Sequence, residues 1–176
     1  MKKLTKTWIS LAAAGLIFCL SGSAFAASES DFSVCFSPGG NCDAKLISFA
    51  KSAHSTLDIA IYDLTLSTIA STIAGLNNSG LQIRVVCDRS EAQTKTSYIS
   101  KLVSAGVAIK YGNVKGIMHN KFMIVDGHML ETGSYNYTSS ATSFNAENQI
   151  YLDSPEVVSQ YQSQFEKLWA QGIPIQ

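Results

Sequence analysis

The sequence has few residues of the kinds that build metal centres or disulfide-rich folds. Of its 176 residues four are cysteine and three are histidine, and no group of them has the spacing of a metal site. We therefore expect neither a metal ion nor another cofactor. The sequence also lacks linkers, low-complexity segments and internal repeats. One compact domain is the expected organisation.

The first 26 residues have the pattern of a secretory signal. Three lysines precede the apolar run WISLAAAGLIFCL, and Ala24-Phe25-Ala26 offers small residues for cleavage after Ala26. A retained membrane helix is the alternative, but the apolar run is too short to span a bilayer comfortably. The sequence predicts a signal peptide at 1–26, a single folded domain at 27–176, and a periplasmic or secreted protein.

Three cysteines lie in the predicted domain. Cys35 and Cys42 flank the turn-rich segment FSPGGN, and an oxidising compartment favours a disulfide that closes this short loop. Cys87 ends the apolar run LQIRVVC and is expected to be a buried free thiol.

Basic residues are concentrated in one part of the predicted domain. Without the signal, ten basic and thirteen acidic residues remain, a net charge of −3, which argues against a generally basic nucleic-acid binder. Between Arg84 and Lys121, however, seven basic residues accompany only two acidic ones. This basic segment either lines a channel for a polyanion or forms, between Arg89 and Lys101, a solvated helix face. Lys115 is the better candidate for a substrate contact.

Hydrophobic periodicity predicts strands and helices that alternate along the chain. The expected strands are DFSVCF, LDIAIYDL, LQIRVVC, VAIKY, KFMIV, HMLET and NQIYLD. Helices are expected at about 42–55, 65–76, 90–105 and 155–170. The order indicates a βαβ opening and an α/β fold class, with a mixed, mainly parallel β-sheet and helices on both faces.

The run HNKFMIVDGHMLETGSYN combines residues suited to phosphoryl chemistry. His119 and Lys121 are two apart in an extended segment, so their side chains share one face about 7 Å apart. An imidazole can attack a phosphodiester while a neighbouring ammonium offsets the charge of the transition state. Asn136 and Ser134 add an amide and a hydroxyl. Gly133 would let the backbone approach a phosphate closely.

Asp126 in the same run has a second interpretation. Asp-Gly between two apolar runs is a strong hairpin signal. We therefore expect Asp126 to shape the turn and its hydrogen bonds without contacting substrate. His128 is expected on the surface or in packing, and His54 at a helix end.

The spacing H-x-K-x4-D, followed after six residues by G-S-x-N, resembles the signature of the phospholipase D superfamily. It is most similar to the small bacterial endonucleases of that superfamily, which carry one motif per chain. The resemblance implies that His119 is the nucleophile of a phosphohistidine mechanism. Lys121 and Asn136 would bind the phosphate, with Ser134 as a supporting donor. Glu147, in the segment AENQIYLD, would hold the imidazole through Nδ1 and leave Nε2 free to attack.

A single motif leaves one catalytic role unfilled. Hydrolysis through a phosphohistidine needs a second group that protonates the leaving oxygen and later activates water. A two-fold dimer would bring a second copy of His119 to one shared site. We therefore expect a homodimeric, exported, metal-independent endonuclease that hydrolyses DNA, and RNA as a second polymer, with little sequence preference.

Three other hypotheses stay open. A phospholipase-type activity on lipids is disfavoured because the chain has one motif and no long acyl-binding loops. A secreted binding module without catalysis is disfavoured because the four proposed catalytic residues are all present. A metal-dependent nuclease is disfavoured because carboxylates are not clustered near the motif.

Aromatic residues near the motif have two interpretations. They either stack bases or pack in the core, and they are Tyr135, Tyr137 and Phe144. Thr138, which directly follows Tyr137, is expected to cap a helix.

Overall fold

A computed structural model describes residues 31–175. The predicted signal peptide at 1–26 lies outside the described residues. The strands are β1 Phe32–Ser37, β2 Thr56–Ile61, β3 Gln82–Cys87, β4 Ala108–Tyr111, β5 Lys121–Val125, β6 Met129–Gly133, β7 Glu147–Leu152 and β8 Ile173–Pro174. The helices are α1 Cys42–Lys51, α2 Ser67–Asn78, α3 Arg89–Ala92, α4 Ile99–Ser104, α5 Ser139–Ser143 and α6 Pro155–Gln171.

The eight strands form one sheet in the order β1-β7-β6-β5-β2-β3-β4-β8. The α/β class, the mixed sheet and the helices on both faces are confirmed. The expectation of a mainly parallel sheet is wrong, because only β2 with β3 and β3 with β4 are parallel, while the other five pairs are antiparallel. A short turn joins β5 to β6, which antiparallel pairing permits, and the connection from β6 to β7 contains only the short helix α5.

The βαβ opening does not make neighbours of its two strands. β1 pairs with β7 at the edge of the sheet, and three strands separate it from β2. Strand β2 lies centrally, and its residues from Leu57 to Ile61 are all buried. Such burial on both faces explains why this strand is an almost continuous apolar run.

Two hydrophobic cores lie on opposite faces of the sheet. One contains Leu46 of α1, Ile73 of α2 and Ile59 of β2. The other contains Phe165 of α6 and Phe122 of β5. Because side chains alternate along a strand, neighbouring residues of β2 and β5 enter different cores. Within residues 31–175, no helix combines the length and the apolar character needed to cross a membrane.

The helix expected at 90–105 is two separate helices, α3 and α4. Between them the Tyr98 N–H donates to the carbonyl of Leu64 at 3.0 Å, and the Ser97 hydroxyl accepts from the Ile99 N–H at 3.3 Å. These bonds take backbone groups that a continuous helix would need, and polar side chains compete for such groups.

Two other helices have boundaries that differ from the predicted ones for similar reasons. Helix α1 ends at Lys51 instead of near residue 55, because Asp126 accepts hydrogen bonds from the backbone at 54–56. Helix α2 begins at Ser67 instead of 65, because the N–H groups at 65 and 66 both donate to the Tyr137 carbonyl. Strand β8 was not expected from the sequence, whereas α5 is the helix that Thr138 was expected to cap.

The cysteines are arranged as predicted. Cys35 and Cys42 form a disulfide with their Cα atoms 5.7 Å apart, which ties edge strand β1 to the start of α1. Cys87 is free and buried, and burial raises the pKa of its thiol to about 12.

Candidate active site

The hairpin turn between β5 and β6 is built by Asp126 and Gly127. Their φ angles are 51° and 71°, the left-handed conformations that an Asp-Gly hairpin turn requires. The Asp126 carboxylate accepts hydrogen bonds from the N–H groups of His54, Ser55 and Thr56 at 2.9, 2.8 and 2.9 Å, and from the Ser55 hydroxyl at 2.8 Å. The structure thus gives Asp126 the turn-shaping role that the sequence predicts.

These hydrogen bonds also control the charge of Asp126. Burial acts to raise the pKa of its carboxyl, but the donors at 54–56 outweigh burial and lower the pKa below its ordinary value. Both remaining histidines lie near this turn. His54 follows the end of α1, and His128 is exposed with Nδ1 3.2 Å from the Asp126 carbonyl oxygen.

His119 lies just before β5, and its side chain is exposed. The imidazole packs edge-on against the ring of Tyr62, with ring centroids 4.6 Å apart and an interplanar angle of 62°. The buried carboxylate of Asp88 accepts a hydrogen bond from the Met118 N–H at 2.9 Å. The backbone immediately before the imidazole is therefore anchored to the end of β3.

Lys121 is the first residue of β5 and is only 7% exposed. Its Nζ donates to the His119 carbonyl at 2.8 Å and lies 5.0 Å from the centroid of the Tyr62 ring. Burial lowers the pKa of Lys121, and the charge of Glu147 acts in the opposite direction. His119 and Lys121 both contact Tyr62. The expectation that their side chains point to the same side of the chain is therefore confirmed.

Glu147 begins β7 and has other partners than expected. Its carboxylate accepts hydrogen bonds from the Ser134 hydroxyl and from the Asn145 amide, the latter at 2.9 Å. Among the described residues no hydrogen bond joins Glu147 to His119. The expected contact between this carboxylate and the imidazole is thus not made in the single chain, and the role of Glu147 in holding His119 stays a prediction.

Gly133 ends β6 where that strand approaches β7 closely. A Cβ atom at this position would lie 2.1 Å from the backbone oxygen of Asn148. The neighbouring strand thus requires the glycine, which the sequence interpretation assigned to phosphate approach. Asn136 follows β6 in a loop instead of lying on a strand, and its buried Oδ1 has no hydrogen-bond partner within residues 31–175.

The nearby aromatic residues separate into two groups. Tyr135 and Tyr137 are buried in the core, so base stacking by these two rings is excluded. Phe144 is 79% exposed. Thr138 caps α5 as predicted, since its hydroxyl accepts from the Ala141 N–H at 3.1 Å.

Only part of the basic segment is available to a polyanion. The Arg84 guanidinium is hydrogen-bonded to Asp58 and Glu166, and Lys110 donates to the Trp169 carbonyl of α6. These two residues therefore do not line a channel. The exposed members are Arg89, Lys95, Lys101 and Lys115.

The sequence interpretation missed Tyr62, Asp88 and Glu91 as members of the site. Tyr62 and Asp88 directly follow β2 and β3, two parallel neighbours whose carboxyl ends meet at one edge of the sheet. Polar groups at such an edge are a known signal of a site in α/β folds. In residues 31–175 no group of three or more His, Cys, Asp or Glu could hold a metal ion.

An exposed imidazole beside a buried ammonium, at the end of a mixed sheet, is the arrangement of a phospholipase D-type phosphodiesterase. The family model described as "Cardiolipin synthase, PLD-like domain" matches residues 46–169. The chain belongs to the phospholipase D superfamily.

Sequence relatives in this superfamily carry names of lipid enzymes. The chain is 36% identical over 126 residues to a mitochondrial cardiolipin hydrolase of Chlamydomonas reinhardtii, covering 72% of this chain and 56% of the relative. It is 31% identical over 134 residues to a phospholipase D of Rickettsia prowazekii, covering 76% and 65%. The chain therefore spans less than two thirds of the length of either relative.

Two solved structures share the fold over their whole length. Nuc from Salmonella typhimurium, a phospholipase D family member, has a TM-score of 0.79 and 24% identity, with 84% of this chain and 99% of Nuc covered. NucT from Helicobacter pylori has a TM-score of 0.77 and 26% identity, with 84% and 100% covered. The small single-domain fold is thus shared with both.

Proposed function

We propose that this protein is an exported, metal-independent endonuclease that hydrolyses DNA, and RNA as a second polymer, with little sequence preference. The observation that carries the proposal is the exposed imidazole of His119 beside the buried ammonium of Lys121. An accessible nucleophile next to a fixed cation suits an anionic diester. The match to Nuc and NucT over their full length favours a compact enzyme of the same kind.

The proposed reaction has two steps at a site shared by two subunits. His119 Nε2 attacks phosphorus, so that a P–N bond forms as the P–O bond to the leaving group breaks. The partner's His119 gives its proton to the departing oxygen. Water then attacks the phosphohistidine, the partner's His119 takes the proton of that water, and the P–N bond breaks.

Other residues stabilise the charge that develops on the phosphate. Lys121 offsets the charge of the equatorial oxygens. Within residues 31–175 the buried Oδ1 of Asn136 has no hydrogen-bond partner, which is consistent with an amide group that binds a ligand. The charge of Glu147 favours the ammonium form of Lys121, and the Ser134 hydroxyl donates a hydrogen bond to the Glu147 carboxylate.

The exposed basic residues bind the phosphates of the polymer that lie on either side of the reacting one. Asp88 accepts hydrogen bonds both from α3, which begins at Arg89, and from Met118, which follows the loop of Lys115. These two cations therefore lie on segments anchored beside the site. We assign Lys115 to a phosphate contact, and we assign 1–26 to export to the periplasm or medium.

A lipid phosphodiester is the second candidate substrate. The names of the sequence relatives favour it, and so do three exposed apolar residues close in sequence to the motif: Val114, Ile117 and Phe144.

The test compares two substrates in EDTA: plasmid DNA and vesicles that contain cardiolipin. We expect the wild-type protein to cleave the plasmid, and His119→Ala to lose turnover by about 10³-fold or more. His128→Ala is the matched control, because this exposed histidine lies at the hairpin turn, and it should retain turnover. Cleavage of lipid with intact plasmid would contradict the nuclease assignment.

A further inference from the structure

Tyr62 lies between the two proposed catalytic side chains. Its ring centroid is 4.6 Å from that of His119 and 5.0 Å from Nζ of Lys121. Its hydroxyl donates a hydrogen bond to Glu91 Oε1 at 2.9 Å. The ring is thus in contact with the nucleophile and the cation at one end and tethered to a carboxylate at the other.

The tether is itself fixed by the turn that starts α3. Asp88 Oδ1 accepts from the Ser90 N–H at 2.9 Å and from the Glu91 N–H at 3.3 Å, while Oδ2 accepts from the Met118 N–H at 2.9 Å. One buried carboxylate therefore holds both the backbone before His119 and the backbone of Glu91. The hydrogen bond to Glu91 raises the pKa of Tyr62, which keeps its hydroxyl protonated and donating.

His119 needs an orienting contact in the single chain. Its side chain is exposed, and no hydrogen bond from Glu147 holds its ring within the described residues. An exposed imidazole without such a contact samples several rotamers, and few of them aim Nε2 at a phosphorus atom. The edge-on packing on Tyr62 restricts that freedom.

We propose that Tyr62, tethered by Glu91, is the positioning residue that orients His119 and Lys121 for attack. The inference rests on the proposed function, because it assigns a role within that site. A positioning role lowers kcat more than it raises KM when the contact is lost, since ground-state binding of the polymer relies on other groups. Misplacement by about 1 Å can cost on the order of 100-fold in rate.

The experiment removes the tether and the ring separately. We expect Glu91→Ala and Tyr62→Leu to lower kcat by about 10- to 100-fold with KM within about twofold of wild type. Glu91→Gln keeps an acceptor for the Tyr62 hydroxyl and should retain most of kcat. Glu166→Ala is the matched control, because Glu166 also accepts side-chain hydrogen bonds but lies on α6, where its partners are Arg84 and Gln162 and not Tyr62.

Histidine NMR supplies a readout that does not depend on substrate. The sequence has three histidines, so the imidazole signals are few, and His119→Asn identifies the one from the site. The Tyr62 ring current should displace this signal in the wild type and in Glu91→Gln. The displacement should be lost in Tyr62→Leu and reduced in Glu91→Ala, while the His54 and His128 signals stay in place.

The two readouts distinguish the inference from the proposed function. If Glu91→Ala leaves either the His119 signal or kcat at its wild-type value, the positioning role is overturned. If the wild-type protein cleaves no nucleic acid, the proposed function fails, and the NMR signals still decide whether Tyr62 holds the imidazole. Should Tyr62→Leu not fold, the Glu91→Ala and Glu91→Gln pair decides the question alone.

Discussion

Lys121 places a positive charge where little water reaches it. Burial lowers its pKa, and the carboxylate of Glu147 is the charge that opposes this effect. The proposed mechanism needs the protonated ammonium, because only that form offsets the negative charge of the phosphate. Glu147 therefore widens the pH range in which the site is active, whether or not it ever contacts an imidazole.

This role predicts a shift in the pH dependence of Glu147→Gln. Loss of the carboxylate removes the influence that raises the pKa of Lys121, so the ammonium deprotonates at lower pH than in the wild type. We expect the alkaline limb of the kcat/KM profile to move to lower pH. Asp153→Asn is the control, because it removes an equal charge beyond the far end of β7. An unchanged alkaline limb in Glu147→Gln would contradict this role.

The sequence predicted His119 and Lys121 but did not predict that Tyr62, Asp88 and Glu91 belong to the site. Spacing along one segment is sufficient to place an imidazole near an ammonium. Tyr62 enters the site because Ile61 of β2 pairs with Lys121 of β5, and that register depends on how distant strands pair. The hydrogen bond between Ser134 and Glu147 was not predicted for the same reason, since the two residues meet only through the pairing of β6 and β7.

Among the structural elements, the β5–β6 hairpin fixes the segment that carries the motif. The Asp126 carboxylate connects its turn to the segment 54–56, which leads into β2. This arrangement joins the two central strands at the end opposite to the catalytic residues. Its effect should therefore be on stability and not on chemistry.

The substitution Asp126→Asn tests this effect on stability. Asparagine tolerates the left-handed conformation of the turn but lacks the charge of the carboxylate acceptor. We expect a loss of about 1–3 kcal/mol in the free energy of unfolding at pH 7, with kcat unchanged. The folded-state pKa of Asp126 is lowered, so this contribution is present above the unfolded value of about 4 and declines as pH falls below it.

Urea unfolding at several pH values measures this dependence. The stability difference between wild type and Asp126→Asn should narrow below about pH 4, where the unfolded-state carboxyl becomes protonated. The exposed Asp153→Asn again serves as a control, with little change at any pH. A constant difference across this range would show that the charge of Asp126 is not responsible.

The positions of strands and helices were more predictable than whether neighbouring strands are parallel or antiparallel. Short apolar runs, alternating in some segments and continuous in others, located seven strands, since one or both faces of a strand are buried. The same pattern is identical for parallel and antiparallel neighbours, so the sequence could not indicate that five pairs are antiparallel. The break at 93–98 was also missed, because it depends on the bond from Tyr98 to the distant Leu64.

For the whole molecule, the main prediction concerns subunit cooperation at the proposed shared site. A dimer with one His119→Ala subunit has a nucleophile but no second imidazole for the leaving oxygen. If wild-type and His119→Ala chains are mixed equally and reassociate at random, only about one quarter of the dimers contain His119 in both subunits. We therefore expect about one quarter of the wild-type specific activity.

Co-expression with two affinity tags allows the mixed dimer to be isolated and assayed directly. The control uses His128→Ala in place of His119→Ala, and mixing should then have no effect. Activity of about one half would indicate independent sites in each chain. A monomer in a sizing measurement that remains fully active would also contradict the shared site.

The strand order has a consequence for how a newly made chain acquires this structure. Among the strands of residues 31–175, β1 is synthesised first, yet its partner β7 follows five other strands. Pairings so distant in sequence form slowly, because loop closure must precede them. Until then Phe32, Val34 and Phe36 have no strand beside them, and these side chains stay largely exposed even in the folded chain. The segment 32–36 of the nascent chain therefore has exposed apolar side chains and no strand partner until β7 has been synthesised.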